Sequence, residues 1–550
     1  MDTVPNDRTL MTQLQGKAWR ERNEVLNRVV VTAAQMQAIE ARVFAAEMPI
    51  AALMEKVAGL IAQRVMELYP HTQSSRVGVL VGSGHNGGDA LVVAREMYLQ
   101  GYQVVLCCPF TSLKELTQAH LNYAQSLGIP CYNHWAEVPA CDLWIDGLFG
   151  FGLSRSISGA SAEIVTQINQ QTCPVVSIDL PSGIHTDTGA VLGTAIQATH
   201  TLCLGLWKLG LLHDRALPYV GQAELIDFGL PIPDIQAVLG ADPSIQRITA
   251  TSALAGLTLH RPVTVHKYKL GHVLLVVGSQ RYPGAAILAG LAAQASGVGM
   301  LSIAVPASLR SLLVSRIPDA LVIACPETDS GAIADLPSDI NLEKYQAIAA
   351  GCGLTTDAHA VVEQLLACDR PVVLDADGLN CLADRATALL SQRQAPTILT
   401  PHTGEFERLW PGLLQQSIST TAAVQQAAQT CQTTVLLKGA RVTIANPQGQ
   451  VRINPASTPA LARGGSGDVL TGLMGSLWAQ AIGLAHQAPL DHGSSRANPP
   501  TDPLQIAQTA AWWHAQAGIL AAMERSELGV DPETLTQHLL KTLVQYVGSK

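Results

Sequence analysis

Pro455–Gln480 reads PASTPALARGGSGDVLTGLMGSLWAQ, and its centre, Gly464–Asp468, runs straight into Val-Leu-Thr-Gly-Leu-Met. Glycines permit turns and close backbone approach that a side chain blocks. A glycine-rich turn opening a helix offers free N–H groups and the positive end of the helix dipole to an anion. Asp468 falls in the first turn, where an acid repels a phosphate unless it serves the chemistry. The role this suggests is taking a proton from a hydroxyl that meets the phosphate there. The plainer alternative is a glycine C-cap followed by an acid in the next helix's first turn.

The rest of the chain supplies the sheet such a loop needs. With 550 residues, 48% hydrophobic and 14% charged, the chain is long enough for two or more well-buried α/β domains. Aromatics make up 4%, which points to cores of Ala, Val, Leu and Ile. A net charge of −9 without a long basic run argues against nucleic acid as a partner. The 11 cysteines are scattered with no CxxC pair, the usage of reduced thiols in the cytoplasm rather than of a disulfide framework. The N-terminal segment mixes acids and bases, unlike a signal peptide. The most apolar long stretch, Gly284–Pro306, is broken by Gln294, Ser296 and further glycines, and splits into a helix-like and a strand-like half rather than a membrane span.

In the first half, residues 1–28 read as a loose extension. Thr32 with Gln35 forms a possible capping box for a helix beginning TAAQMQAIEARVFAAE, and Ala51–Tyr69 reads as a second helix after Pro49. Arg76–Val81 is a buried-strand run ending in Gly82–Ala90, GSGHNGGDA; LVVAREMYLQ and QVVLCC then complete a βαβ unit. The loop is not GxGxxG. Asn86 and Asp89 could hold a cation, a ribose or a phosphate, or simply cap the helix. Two more strands, Asp142–Asp146 and Pro174–Asp179, run into IDGLFGFGLSRS and SIDLPSG in the same way. Parallel strands align their C-terminal ends, so oxygen-bearing ends near Asn86, Asp146 and Asp179 are expected to share one crevice.

On GSGHNGGDA, IDGLFGFGLSRS and SIDLPSG, residues of roughly 30–240 resemble the YjeF N-terminal domain family, the NAD(P)H-hydrate epimerases. That family's loop is usually Asn-Asn-Gly-Gly-Asp-Gly; this chain has His85 for the first Asn and Ala90 for the last Gly. The resemblance implies a Rossmann-like three-layer sandwich over 29–240 and a potassium ion held near Asn86, Asp146 and Ser182. It implies hydrated nicotinamide dinucleotide bound by His85, Asn86, Gly87, Gly88, Asp89, Gly150, Phe151, Gly152, Leu153, Ser154, Arg155, Ser156 and Asp179. Asp179 is then the acid/base at the epimerised carbon.

Residues 231–262 are proline-punctuated, and the domain boundary is expected near 245. A new series of strand-like runs follows: HVLLVVG, LSIAVP, ALVIACP, AIAAGCG, PVVLDAD, PTILTPH and TTVLLKG, interleaved with helix-like segments. That alternation predicts a second, largely parallel sheet covered on both faces. Its strand ends carry Asp375, Asp377, Asn380, His402, Glu405 and Lys438. With the GGSGD loop these supply a cation, an anion nest and an acid, the parts of phosphoryl transfer without a Walker loop.

On HKYKLGHVLLVVGSQRYPGAA, AAGCGLT, LDADGLN, LTPHTGEF, LLKGARV and ARGGSGDVLTGL, residues 250–550 are similar to the ribokinase-like YjeF C-terminal family, the ADP- or ATP-dependent NAD(P)H-hydrate dehydratases. Thr403 and Ser466 stand where Pro and Thr are usual. The resemblance implies a doubly wound α/β domain. It implies nucleotide phosphates at Lys438, Gly439, Ala440, Arg441, Val442 and Gly467, the hydrated cofactor near Ala286, Gly353, His402 and Asp468, and magnesium bridging the phosphates. Both halves then point to one substrate, NADH or NADPH with water added across the nicotinamide 5,6 double bond. One half interconverts the C6 epimers and the other dehydrates the S form at the expense of ADP or ATP. A homo-oligomer, no nucleic acid and no membrane are expected. The alternative is a ribokinase-like small-molecule kinase with a non-catalytic N-terminal binding domain. The segment Ala485–Asp502, with His486 and His492, reads as an exposed loop.

Overall fold

A computed structural model describes residues 19–259, 261, 263–485 and 501–547. The chain forms two compact units, Met1–Ile245 and Gln246–Lys550, each built on its own sheet. The 485–502 loop expected from the sequence, with His486 and His492, lies almost wholly outside the described residues.

The N-terminal unit opens differently from the expected loose extension. Residues 19–28 are helical. Leu26 and Val29 are buried, and Arg22 grips both carboxylate oxygens of Asp227 at 2.6 and 2.7 Å, which fastens this segment to the unit. The next helix, Ala33–Ala45, starts at the capping box: Gln35 N–H donates to Thr32 Oγ1 (3.3 Å) and Thr32 N–H to Gln35 Oε1 (2.9 Å). After helix Ile50–Leu68 come the strands β2 (Arg76–Val81), β3 (Gln103–Cys107), β4 (Cys131–Tyr132), β5 (Leu143–Gly147), β6 (Val175–Ile178), β7 (His200–Leu204) and β9 (Gln222–Ile226). They form a seven-stranded parallel sheet in the order β4-β3-β2-β5-β6-β7-β9. A short parallel pair, β1 (Val30–Val31) with β8 (Trp207–Lys208), lies apart from it. Apart from Arg76 at the start of β2, the inner strands β2, β5 and β6 are buried along their length, because helices cover both faces of a parallel sheet.

The chain winds from β2 outward through β3 to β4, then returns to β5 and winds the other way. The topological switch therefore falls between β2 and β5, and that is where an open α/β sheet leaves a crevice at its carboxyl edge. Gly82 makes the closure possible: a Cβ there would overlap the Leu148 carbonyl.

The C-terminal unit repeats the principle. Its strands are β10 (Ile245–Arg247), β11 (His272–Val276), β12 (Met300–Pro306), β13 (Leu321–Cys325), β14 (Ala347–Ala350), β15 (Val372–Leu374), β16 (Thr397–Leu399), β17 (Thr434–Leu437), β18 (Thr443–Ala445) and β19 (Val451–Ile453). They form a ten-stranded sheet in the order β10-β19-β18-β17-β16-β15-β14-β11-β12-β13. The run from β13 to β17 is parallel, and β17-β18-β19 is an antiparallel meander. The switch point is between β11 and β14. Gly351, just after β14, sits at φ 122°, where a side chain would be strained and would also overlap the Asp375 carbonyl.

The stretch Gly284–Pro306 divides as expected, into helix Pro283–Ala295 and β12. Helix Ser466–Ala485 is buried along most of its length because it packs on the sheet, on Pro283–Ala295 and on Pro503–Arg525. Among the described residues no helix is long and apolar enough to cross a membrane.

Candidate active sites

In the N-terminal unit the switch-point crevice opens into a cavity of about 600 Å³. The expected glycine loop is already helical from His85, and the first turns of this helix, His85–Leu99, contribute His85, Asn86 and Asp89; the loop after β5 contributes Gly150, Phe151, Gly152, Leu153, Ser154 and Arg155; the end of β6 contributes Asp179. Three of the expected residues are elsewhere. Gly87 and Gly88 turn inward, against Gly82 and the Met54 side chain, because the helix that they open packs flush on its neighbours. Ser156 is exposed and outside the lining.

Asp179 holds φ at 71°, an uncommon backbone state for a residue with a side chain. Its Oδ2 accepts the Phe151 N–H at 3.1 Å and its Oδ1 the Leu204 N–H at 3.3 Å. The ammonium of Lys208, a fully buried lysine, pairs with the same Oδ1 and donates to the Leu204 carbonyl at 2.5 Å. Burial works against that ammonium, but Asp179, with Cys203 and Glu40 adding to it, leaves the Lys208 pKa raised. The sequence reading missed Lys208. Its signal was a lone lysine in the apolar run TLCLGLWKLGLL, where a charge survives only with a partner. Glu40, Lys114 and Phe228 also line the cavity and were not foreseen. Burial pushes the Glu40 carboxyl up to about 7; Lys208 opposes the rise and Asp179 adds to it. Asp89 is pushed well up by burial, then by Asp179 and Glu40, and burial followed by Lys114 lowers His85.

Below the cavity lies Asp146, fully buried. Its Oδ1 accepts from Ser182 Oγ (2.6 Å) and the Leu148 N–H (3.3 Å); its Oδ2 accepts from Ser177 Oγ (2.8 Å) and the Ser182 N–H (2.9 Å). Burial drives its pKa up against these bonds. The Asn86 carboxamide lies against Gly150, and its Nδ2 is buried without a hydrogen-bond partner. The Asp146 carboxylate, the Ser182 hydroxyl and the Asn86 Oδ1 are hard oxygens of the kind a monovalent cation takes, whereas the unmet Asn86 Nδ2–H calls for an acceptor.

In the C-terminal unit the crevice between β11 and β14 is a cavity of about 470 Å³ lined by Arg281, Tyr282, Gly353, Asp377, Gly464, Gly465 and Asp468, among others. Asp468 stands in the first turn of helix Ser466–Ala485. Burial pushes its carboxyl up to about 6; the Cys352 side chain opposes this, Asp375 adds to it, Lys438 opposes and Asp377 adds. Lys438, at the end of β17, reaches Asp375 Oδ1 at 2.6 Å and Glu405 Oε2 at 3.8 Å. Asp375 Oδ2 accepts from Thr471 Oγ1 at 2.8 Å. Gly467 is the point of closest approach: a Cβ there would come 3.4 Å from Asp375 Oδ2 and 3.6 Å from Lys438 Nζ. The loop is held from behind by His514, a buried histidine whose Nε2–H donates to the Ser466 carbonyl at 2.9 Å. Burial lowers its pKa to about 4, so it stays neutral. Gly439, Ala440, Arg441 and Val442 form the turn from β17 to β18, with Gly439 and Ala440 exposed.

Of the residues expected here, Gly353 and Asp468 line this cavity, and Lys438, Gly439, Ala440, Arg441, Val442, Gly467, His402 and Ala286 do not. His402 caps helix Thr403–Leu409, accepting the Gly404 N–H at 2.9 Å through Nδ1, and stands over Glu405 at 3.4 Å. Ala286 is fully buried, facing Gly278. Asp375, Thr471, Cys352 and Arg281 stand at the site without having been assigned to it; Asp375 was visible as an acid on a strand end.

The model of the NAD(P)H-hydrate dehydratase family matches residues 273–541, and that of the YjeF-related protein N-terminus matches residues 50–210. A bifunctional NAD(P)H-hydrate repair enzyme of Synechocystis sp. is 51% identical over 522 residues, covering 95% of this chain and 96% of that protein. Its counterpart in Thermosynechococcus vestitus is 48% identical over 95% of this chain and 98% of its own length. A solved ADP/ATP-dependent NAD(P)H-hydrate dehydratase from Bacillus subtilis, co-crystallized with ATP/Mg2+, is 32% identical and covers 54% of this chain and 97% of its own, with a TM-score of 0.44.

Proposed function

The chain belongs to the family of bifunctional NAD(P)H-hydrate repair enzymes, and from that premise we propose how its two sites divide the work. The N-terminal unit epimerises hydrated NADH and NADPH, and the C-terminal unit dehydrates the S form. In the first cavity the hydrate lies over the helix start after β2 and the loop after β5, with Asp179 the acid/base at the epimerised C6 centre, taking the proton of its hydroxyl. Lys208 holds the Asp179 carboxylate in place. Asn86, Asp146 and Ser182 would hold a potassium ion, which would supply charge to balance the buried Asp146 carboxylate.

In the second cavity the nucleotide phosphates rest on the turn from Lys438 to Val442 and on the Gly467 amide. Asp468 takes the proton of the C6 hydroxyl, and the hydroxyl oxygen attacks the terminal phosphoryl group. Phosphate then leaves where hydroxide would leave poorly; the ring nitrogen pushes it off, and loss of a C5 proton restores the double bond. Lys438 and the helix N–H groups carry the developing charge. Magnesium, held chiefly by the phosphates with Asp377 and Asp468 in reach, would neutralise the transferred group. ADP is the expected donor.

The observation that carries this reading is Asp468, a carboxyl pushed up to about 6 at the opening of a glycine-rich helix, with the half-buried Lys438 acting on its charge. The test is Asp468→Asn: dehydration is abolished while nucleotide binding survives. Retained turnover would refute the assignment.

A further inference from the structure

Hydration puts an oxygen on C6 next to the ring nitrogen, so C6 is a hemiaminal carbon. Its hydrogen is not acidic, and the stereocentre inverts by opening the ring. Opening moves two protons at once: one leaves the hydroxyl, and one must reach the nitrogen as it departs. A site with a base alone leaves that nitrogen as a poor, anionic leaving group.

We propose that Glu40 is the second catalytic residue of the epimerase, the acid that protonates the ring nitrogen while Asp179 takes the hydroxyl proton. The inference rests on the assignment of Asp179 made above. In the opening step the O–H electron pair becomes the second C6–O bond. The C6–N1 pair passes to N1, and N1 takes the proton of Glu40. Rotation about the C5–C6 bond turns the other face of the aldehyde to N1. Closure reverses the transfers: Glu40 recovers its proton and Asp179 returns the other to oxygen. No atom or electron is gained or lost.

Three observations support this. Glu40, on helix Ala33–Ala45, and Asp179, after β6, line the same cavity from different elements. Among the described residues no hydrogen bond or ion pair engages the Glu40 carboxyl, whereas Asp179 is fixed by two backbone N–H groups and an ammonium. The charges also fail to balance. Glu40, Asp89 and Asp179 face the cavity with Lys208 as the buried cation, and Lys208 is committed to Asp179. The other cations, Lys114 and Arg155, and the neutral His85 are exposed side chains of the lining. Asp89 is pushed well up by burial, then by Asp179 and Glu40. Glu40, pushed up to about 7, can give and take a proton at neutral pH.

The experiment uses the full chain with the R hydrate, magnesium and ADP, and reads epimerisation through recovery of reduced-nicotinamide absorbance by the chain's own dehydratase site. Epimerisation needs Glu40 protonated, so the wild-type rate falls as pH rises past about 7. In Glu40→Gln, kcat for the R form falls about 100-fold or more, KM is little changed, the alkaline limb disappears and the S form is still dehydrated. Glu40→Asp, which keeps a carboxyl on a shorter stem, retains the limb at reduced kcat and decides the matter if the glutamine variant does not fold. Wild-type kcat in either variant, or an alkaline limb that persists in Glu40→Gln, overturns the role of Glu40. Wild-type epimerisation by Asp179→Asn would instead overturn the Asp179 assignment beneath it.

Discussion

The acid limb of the dehydratase reports Asp468 directly. Its carboxyl is raised from 3.8 to about 6, chiefly by burial, with Asp375 and Asp377 adding and Cys352 and Lys438 opposing. A rise of that size is roughly 3 kcal/mol against the charged form. A base must be deprotonated to act, so kcat/KM for the S hydrate rises with pH through about 6. Between about pH 7 and about pH 5 the deprotonated fraction drops roughly tenfold, and kcat/KM drops with it. The assay is the initial rate of absorbance recovery with the S hydrate at subsaturating concentration, where the free enzyme's groups are reported. The neighbours make the prediction sharper. Asp377→Asn removes a negative charge that raises Asp468, so the limb moves to lower pH. Substituting methionine for Lys438 removes a charge that lowers it, so the limb moves to higher pH. A flat profile across this range, or a limb indifferent to Asp377→Asn, would refute the assignment of Asp468 as base.

Lys208→Met leaves the 3%-exposed Asp179 with backbone donors but no cation, so it should cost about 3–5 kcal/mol in urea unfolding; Asp179→Asn added to it should recover part of that loss. Equal and additive costs in the two variants would contradict a coupled pair. Gly351→Ala forces a side chain into φ 122° and onto the Asp375 carbonyl, so thermal unfolding moves down and dehydration falls while epimerisation persists. Ser182→Ala removes the hydroxyl that donates to Asp146 and accepts from the Phe149 N–H (2.9 Å), so the epimerase loses any dependence on added potassium while dehydration is unchanged. A response to potassium identical to wild type would count against that cation site.

Much of both sheets could be read in the sequence because buried parallel strands are short apolar runs that end in glycine and acid. RVGVLV, DLWID, PVVSID and HVLLVVG all become strands, and three of them deliver Asn86, Asp146 and Asp179 to one edge. The strands left unread were those without such endings. β7 is masked by His200 and by its continuation into LGLWK, and β18 and β19 are short polar-flanked members of a meander. The partner of Lys208 and the place of Glu40 were illegible for another reason. Each residue is distant in sequence from the loops it serves, and only folding brings it to Asp179. The same limit explains His402 and Ala286, which lie in recognisable motifs yet turn to capping and packing rather than to the cavity. Residues 19–29 show the converse: a polar segment is ordered by two buried apolar side chains, Leu26 and Val29, and one arginine fork.

The central claim is that both units act in turn on one substrate. It is tested by incubating the chain with a mixture of both hydrate epimers, magnesium and ADP, and following reduced-nicotinamide absorbance to its end point. The account predicts recovery of all the cofactor, faster than spontaneous epimerisation allows, and in Asp179→Asn recovery that halts at the S fraction. A wild-type end point at the S fraction would contradict it.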